Sequence, residues 1–338
     1  MSIKEVAKLA GVSVSTVSRA LNETTYVKDE TRMRVLEAAR ELNYTPNIFA
    51  QGLKSNKSNT VALVIPDIGN MIFPKITQGV EQVMRKNGYI TVLCNTGEDP
   101  EVEKKYIQSL SNQKIGGFIF ATMTKQSSYI NELRKQGIPI VLVERYNDEQ
   151  IDAIGIDNFK AGYSATNYLI EIGHRKIIFV MGDPQLCLYE QRLAGYRKAL
   201  EDNDIKFRED YVLWESYDTI SLYTQIKKMF ERIPDIEAIV ASSDPKAFII
   251  MRALKDMGKA IPKDVSIVGI DDVEISSLID PPLTTVSQPL VRLGELAAKK
   301  LIAQIQYKER TGQLMEPTVD ILDMKMIIRG TTEKRRAY

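Results

Sequence analysis

Ser15, Ser18, Arg19 and Asn22 fall at i, i+3, i+4 and i+7, so they share one face if this stretch is helical. An Arg on such a face offers a planar fork of donors that can pair bidentately with guanine in a DNA major groove. Val17 and Leu21, four apart, would turn inward. The neighbouring residues supply the elements that must hold this face. Ser2-Ile3-Lys4-Glu5 reads as a capping box opening a helix that runs to about Ala10, with Val6 and Leu9-Ala10 inward. Gly11-Val12-Ser13 is a tight turn, and Ser13 caps a second helix, Val14–Asn22. A third helix, about Glu30–Leu42, brings Val35, Leu36, Ala39 and Leu42 to close a small core. Helix, short turn, helix with a polar outer face suits a major groove. An ordinary three-helix bundle with a solvated face explains the spacing equally well.

From Val61 onward the pattern changes to short apolar runs alternating with longer amphipathic stretches, as parallel α/β units read. Strands are expected at Val61–Ile65, Ile90–Cys94, Phe118–Ala121 and Ile138–Val143, then at Ile177–Val180, Ala238–Ala241 and Ser266–Ile270. Helices fall near Pro74–Asn87, Glu101–Asn112 and Ser128–Gln136, then near Lys160–Ile172, Gln191–Asn203, Ser221–Arg232 and Pro245–Met257. Two such halves in tandem form a cleft beside the carboxyl ends of their strands, where open sheets of this kind bind ligands. The loops to search are therefore Pro66–Phe73, Gly182–Arg192, Ser242–Asp244 and Asp271–Val273.

Composition narrows the classes. The 338 residues are 44% hydrophobic and 26% charged, the balance of a soluble globular chain long enough for two or three domains. Residues 1–60 hold 9 Lys and Arg against 6 Asp and Glu, and the remaining 278 hold 36 against 38. That mild asymmetry permits a nucleic-acid partner without demanding one. Neither a signal core nor a run of about 20 apolar residues occurs, so no membrane partner is expected and the chain should stay in the cytoplasm. Cys94 and Cys187 are too few for a disulfide framework or a zinc site. His174 is the single histidine, and a structural place at the entrance of the Ile177–Val180 strand is expected for it. No metal and no cofactor are called for.

The wording of the head goes further than its spacing. Glu5-Val6-Ala7, Ala10-Gly11-Val12-Ser13 and Thr16-Val17-Ser18-Arg19-Ala20-Leu21-Asn22 closely resemble the head of the lactose/galactose repressor family. Asn43-Tyr44-Thr45-Pro46-Asn47 resembles that family's passage into its hinge, and the likeness extends over essentially the whole chain. It implies a small all-α helix-turn-helix head plus an α/β core, the core a two-lobed periplasmic-binding-protein-like (type I) parallel-sheet domain. The head would span 1–45, a hinge helix and linker 46–59, and the effector-binding core 60–338. The lobes would be about 60–158 plus 289–318, and 159–288 plus 319–332, with the Pro289–Tyr307 helix returning to the first.

The resemblance also implies roles. Val14 and Ser15 match the variable base-reading pair, Arg19 the guanine-contacting Arg, and Thr16 and Ser18 phosphate or sugar contacts, beside Asn22 on the same face. Asn47, Ala50 and Leu53 would enter the minor groove from a hinge helix that orders on DNA, where an apolar side chain wedges between base steps. Read alone, this hinge is a two-turn helix containing Gly52, marginal in isolation. In the core, Arg192 falls on the effector-clamping Arg and Asp271 on its partner carboxylate, a pair suited to neighbouring hydroxyls. Tyr217 falls on a stacking aromatic, and Asp67, Ile72, Phe73, Ser243 and Gln288 complete the carried-over set.

The function implied is a dimeric DNA-binding transcription regulator, a repressor, on double-stranded near-palindromic operator DNA. A small carbohydrate-like effector in the core would control it as a homodimer. Three rivals stand beside this. The same DNA-binding role under control of a partner protein is one. A soluble α/β enzyme is another, against which stand the single His and the lack of G-x-G-x-x-G or a phosphate-binding P-loop. The third is a free ligand-binding protein, which the head argues against.

Overall fold

A computed structural model of the chain describes residues 2–22, 26–44, 58–125, 127–146, 150–214 and 219–335, without the side chains of Asn22, Ser128, Thr219 and Ile220. The chain divides into two compact units between Asn59 and Thr60. The first holds α1 (Ile3–Ala10), α2 (Val14–Asn22) and α3 (Asp29–Glu41). Glu5 reaches back to accept from the Ser2 amide at 2.6 Å, and the Ser13 hydroxyl accepts from the Thr16 amide at 3.2 Å. These bonds satisfy amides that a helix start leaves without partners. Val6, Ala7, Ala10, Val17, Ala20, Val35, Ala38 and Ala39 form the core. Leu9, expected inward, is 48% exposed. The buried stripe of α1 runs through Val6, Ala7 and Ala10 with Ile3 packed beside it, and Leu9 lies off that stripe. The hinge residues Asn47, Ala50 and Leu53 lie outside the described residues.

The second unit is an α/β core with two six-stranded sheets. Its strands are β1 (Thr60–Ile65), β2 (Ile90–Asn95), β3 (Phe118–Phe120), β4 (Ile140–Val143), β5 (Asp152–Ile156), β6 (Ile177–Val180), β7 (Val212–Leu213), β8 (Ala238–Ala241), β9 (Ser266–Asp271), β10 (Thr284–Ser287), β11 (Val319–Leu322) and β12 (Lys325–Ile327). One sheet runs β11-β5-β4-β3-β1-β2, the other β12-β10-β9-β8-β6-β7. Every neighbouring pair is parallel except β10 with β12.

The helices are α4 (Ile72–Lys86), α5 (Pro100–Asn112), α6 (Ser128–Lys135), α7 (Asn158–Glu171), α8 (Cys187–Asp202), α9 (Thr219–Arg232), α10 (Asp244–Asp256) and α11 (Leu290–Thr311). They cover both faces of each sheet, which is why the strands read as unbroken apolar runs. In lobe one, Val61, Leu63 and Ile65 point to the α4 and α11 side while Ala62 and Val64 join Ile107 and Ile130 on the other.

The chain crosses between lobes after Ile156, after Ser287 and after Leu322. The third crossing falls later than the expected boundary at 318. Val319–Leu322 still belongs to lobe one because it pairs in parallel with Ala153–Ile156, and the Thr318 amide is held by Asp152 Oδ1 at 3.0 Å. Five strands were not expected: β5, β7, β10, β11 and β12. β5 carries Asp152 and Gly155, and β10 is Thr-Thr-Val-Ser, so neither shows as an apolar run. His174 is buried just before β6, its Nε2 3.3 Å from the Glu333 carbonyl. Cys94 and Cys187 are free thiols, the first buried.

Candidate functional site

In the head, α2 is fixed from one side by Val17 and Ala20 and capped at its start by Ser13. That leaves Ser15 and Arg19 exposed and Thr16 and Ser18 half-buried. The Ser13 hydroxyl lies 2.7 Å from that of Ser15 and 2.9 Å from that of Thr16, so these three donors cluster at the helix start. A helix start with free hydroxyls and amides is a favourable seat for a phosphate. Val14 is half-buried against the core, a less open place than a base-reading residue takes. The Asn22 side chain lies outside the described residues.

In the core the charged residues converge where the two lobes face each other. Arg192, on the second turn of α8, is 1% exposed, not the surface side chain its charge suggests. Its Nε donates to Asn158 Oδ1 at 2.9 Å and its Nη1 to the Ser242 carbonyl at 2.5 Å. Nη1 also stands 3.9 Å from Asp271 Oδ1, and Nη2 is buried without a partner. Asp271, at the carboxyl end of β9, is 3% exposed and takes a 2.7 Å bond from Gln288 Nε2, whose Oε1 is again buried and unpartnered. Burial pushes the Asp271 carboxyl up to about 7, against the pull of Arg192. Just beyond, the fully buried Asp244 carboxylate accepts from the Val273 amide (3.1 Å), Ser276 Oγ (2.6 Å) and Thr285 Oγ1 (2.6 Å). It thereby anchors the loop that follows Asp271.

Lobe one contributes two residues that the sequence reading missed, Glu144 and Arg145 at the carboxyl end of β4. Arg145 is 6% exposed; it is gripped through two nitrogens by Glu98 at 2.8 and 3.0 Å, and its guanidinium lies over the Phe73 ring at 5.6 Å. Glu144 is 4% exposed, and burial raises its carboxyl while Arg145 and Arg192 pull it down. The available signal was a Glu-Arg pair directly after the Ile138–Val143 apolar run. Backbone strain marks the same place: Glu98, Glu144, Asp271 and Asp272 all have positive φ, at 62°, 66°, 133° and 59°. Such conformations cost about 1–3 kcal/mol each and cluster at ligand sites.

The structure brings Arg192, Asp271 and Gln288 together, with Ser243 next to the carbonyl that holds Arg192. Ser243 is 8% exposed and 3.4 Å from Lys246 Nζ. Ile72 and Phe73 are packed into the lobe-one core, and Phe73 meets the charged cluster through the Arg145 guanidinium. Asp67 is exposed and bonds the Gly69 amide at 2.8 Å in its own loop. Tyr217 lies outside the described residues. Two ion pairs cross from lobe to lobe, Lys75 to Glu274 at 2.9 Å and Lys125 to Glu190 at 2.6 Å. The Lys125 amide also donates to the Gln185 carbonyl at 3.2 Å. Among the described residues, no group of three or more His, Cys, Asp or Glu could hold a metal ion.

A helix-turn-helix head followed by a two-lobed core with a buried polar cleft is the plan of a ligand-controlled transcription regulator. Residues 2–47 match the model of bacterial regulatory proteins of the lacI family, and residues 58–323 that of periplasmic binding proteins and the sugar binding domain of the LacI family. The chain belongs to this family. It is 35% identical to the HTH-type transcriptional regulator RegA of Clostridium saccharobutylicum, over 98% of this chain and 99% of that one. It is also 35% identical to the ribose operon repressor of Halalkalibacterium halodurans, over 98% and 97%. Among solved structures, the lac repressor dimer bound to operator and the anti-inducer ONPF superposes with a TM-score of 0.87. That match has 26% identity over 98% of this chain and 99% of the other. The CelR–cellobiose complex superposes at 0.74 with 29% identity over the same shares.

Proposed function

We propose that this chain is a repressor, acting in the cytoplasm as a homodimer on a near-palindromic operator, with a small carbohydrate-like effector taken between the lobes of the core. The observation that carries the effector site is the unpaired Nη2 of the buried Arg192, 1% exposed yet short of partners. A buried donor left unmade costs about 1–3 kcal/mol or more, so a site that retains one is shaped for an outside acceptor. The relatives support this chemistry: one is named for ribose and one is a cellobiose complex. All of those named are regulators, and the role proposed here is not enzymatic. For the dimer, Ile90 and Leu93 of lobe one and Ile275 and Leu278 of lobe two leave apolar surface in solvent, as a second copy would cover. Ligand closing the cleft would then bias how the paired lobes meet, and through them the heads.

Selection of bound duplexes from a random library tests the DNA half without a known operator. Wild-type protein should enrich a site with two-fold symmetry. Arg19→Ala should weaken it by roughly 1–3 kcal/mol per half-site and relax one base position in each half. Enrichment of the same sequences at the same affinity by both proteins would remove Arg19 from base readout.

A further inference from the structure

Resting on the effector reading above, we propose that the cleft takes an uncharged polyol held between the lobes, and that Glu144 is the lobe-one residue that accepts its hydroxyls. The argument begins with what the buried groups have left to offer. Arg145 is used up: two of its nitrogens are on Glu98 and its plane rests over Phe73. Arg192 has given Nε to Asn158 and Nη1 to the Ser242 carbonyl. Lys246, the next cation, has its ammonium 3.4 Å from Ser243 Oγ and 5.0 Å over the Tyr189 ring.

Three buried atoms remain unpartnered: Arg192 Nη2 on lobe two, Gln288 Oε1 beside Asp271, and Glu144 Oε2 on lobe one. The nearest cation to that last oxygen is Arg145 Nε at 3.7 Å, beyond hydrogen-bond reach. The unfilled set is thus one donor and two acceptors, one of them a carboxylate.

Hydroxyls fit this set, because each can donate to one side and accept from the other. A phosphate or carboxylate does not. It needs several donors where one stands free, and it brings a like charge to a cleft that already holds Glu144 and Asp271. Glu144 is placed for this task by strand β4, which ends at Val143, and by its own backbone, held at φ 66° where a side chain is strained. A Glu kept in that conformation, buried and unsatisfied, is poorly explained by stability. Its position opposite Arg192 also means that one ligand ring can touch both lobes.

Thermal-shift titration of the full-length chain tests this with matched probes. The neutral set is ribose, xylose, galactose and cellobiose; the anionic set is ribose 5-phosphate, glucose 6-phosphate and gluconate. Only neutral probes should raise Tm, and the best of them should bind roughly a hundredfold or more tightly than its anionic counterpart. Glu144→Gln should weaken that neutral ligand about tenfold or more while narrowing the gap to the anions. Without any probe, the same variant should melt at or above wild type, because it removes an unpaired buried charge. Tighter binding of an anionic probe by wild type overturns the inference and leaves the effector cleft standing. Unchanged neutral affinity in Glu144→Gln overturns the assignment of that residue, as does a variant that melts lower, which would mark Glu144 as structural. No response to either set removes the carbohydrate effector itself, and this inference with it.

Discussion

In each lobe one pair of helices is drawn together by a pair of glycines. In lobe one, a Cβ on Gly79 of α4 would strike the Val291 carbonyl of α11, and one on Gly294 would strike the Ile76 carbonyl. In lobe two, a Cβ on Gly162 of α7 would strike the Arg192 carbonyl of α8, and one on Gly195 the Phe159 carbonyl. The device is the same but what it positions differs. The α4–α11 pair in lobe one closes over an apolar layer of Ile72, Phe73, Ile76, Leu293 and Ala297. The α7–α8 pair in lobe two carries Arg192 into the cleft and supplies its Asn158 partner from the first residue of α7. Lobe one therefore presents its charges from the loops after β2 and β4, whereas lobe two presents Arg192 from the interior of a clamped helix. Helix placement makes Arg192 the stiffer partner, and loop placement leaves Glu98, Glu144 and Arg145 freer to follow a ligand.

The largest effect should come from filling those contacts. Gly79→Ala and Gly195→Ala should each destabilise the core by about 3 kcal/mol or more, the upper end for overpacking, since backbone and not a flexible side chain stands in the way. The comparison of lobes predicts a split in the second readout. Gly195→Ala, one turn from Arg192, should also weaken effector binding, while folded Gly79→Ala should bind as wild type does. Thermal melts with and without a neutral sugar that binds wild type check both. Equal loss of binding in the two variants would show that the clamped helix of lobe two has no special part in the site.

A second test separates the charges by pH. Asp271 titrates near 7 in the folded chain, well above its ordinary value of 3.8, because burial disfavours its charge. The folded state therefore keeps a proton that the unfolded chain loses between about pH 4 and 7. Stability from this group is greatest below that range and falls as pH rises through it, by at most about 1.4 kcal/mol per pH unit. His174 tilts the other way. Burial holds it below its ordinary 6.5, so its contribution is present above that value and lost as pH falls. Asp271→Asn should remove the first slope and keep the second, read from urea melts between pH 5 and 8. If the difference between variant and wild type is flat across that range, Asp271 is ionised throughout and the cleft is more polar than its burial implies.

How much of this could be read in the sequence depended on whether a residue's role left a local mark. The three head helices did, through Ser2 and Glu5, Gly11 and Ser13, and the stripe containing Val6, Val17 and Val35. Seven strands of the core showed as apolar runs because both faces of each sheet are covered. Arg192 and Asp271 were found through resemblance, and the structure places them 3.9 Å apart. Glu144 and Arg145 left almost no mark. They are ordinary charged residues after a strand, and what distinguishes them is burial by the facing lobe, which is a long-range property. Phe73 shows the opposite error. It was read as a ligand residue, and its ring is wholly buried in the lobe-one core, touching the site only through Arg145.

The smallest effect concerns the rim, where the lobes meet through exposed ion pairs. Lys125 of lobe one reaches Glu190 on α8 at 2.6 Å, with side chains 40% and 51% exposed, while its backbone amide holds the Gln185 carbonyl. An exposed pair of this kind contributes little to folding stability, but it acts on the separation of the two lobes, which surface forces can still tilt. Glu190 sits two residues before Arg192 on the same clamped helix, so the pair links the mobile side of the comparison to its stiff side. Lys125→Glu should open the cleft slightly, and adding Glu190→Lys should restore it by reversing both charges. The radius of gyration from small-angle scattering, with fluorescence of the single Trp214, reads the change. Salt sharpens the test: at 1 M, where charges are screened beyond about 3 Å, wild type and both variants should converge. A single variant that opens equally at low and high salt would assign the effect to the Lys125 backbone contact. A swap that fails to restore closure at low salt would do the same, and the rim pair would then be an ornament of the closed form and not one of its causes.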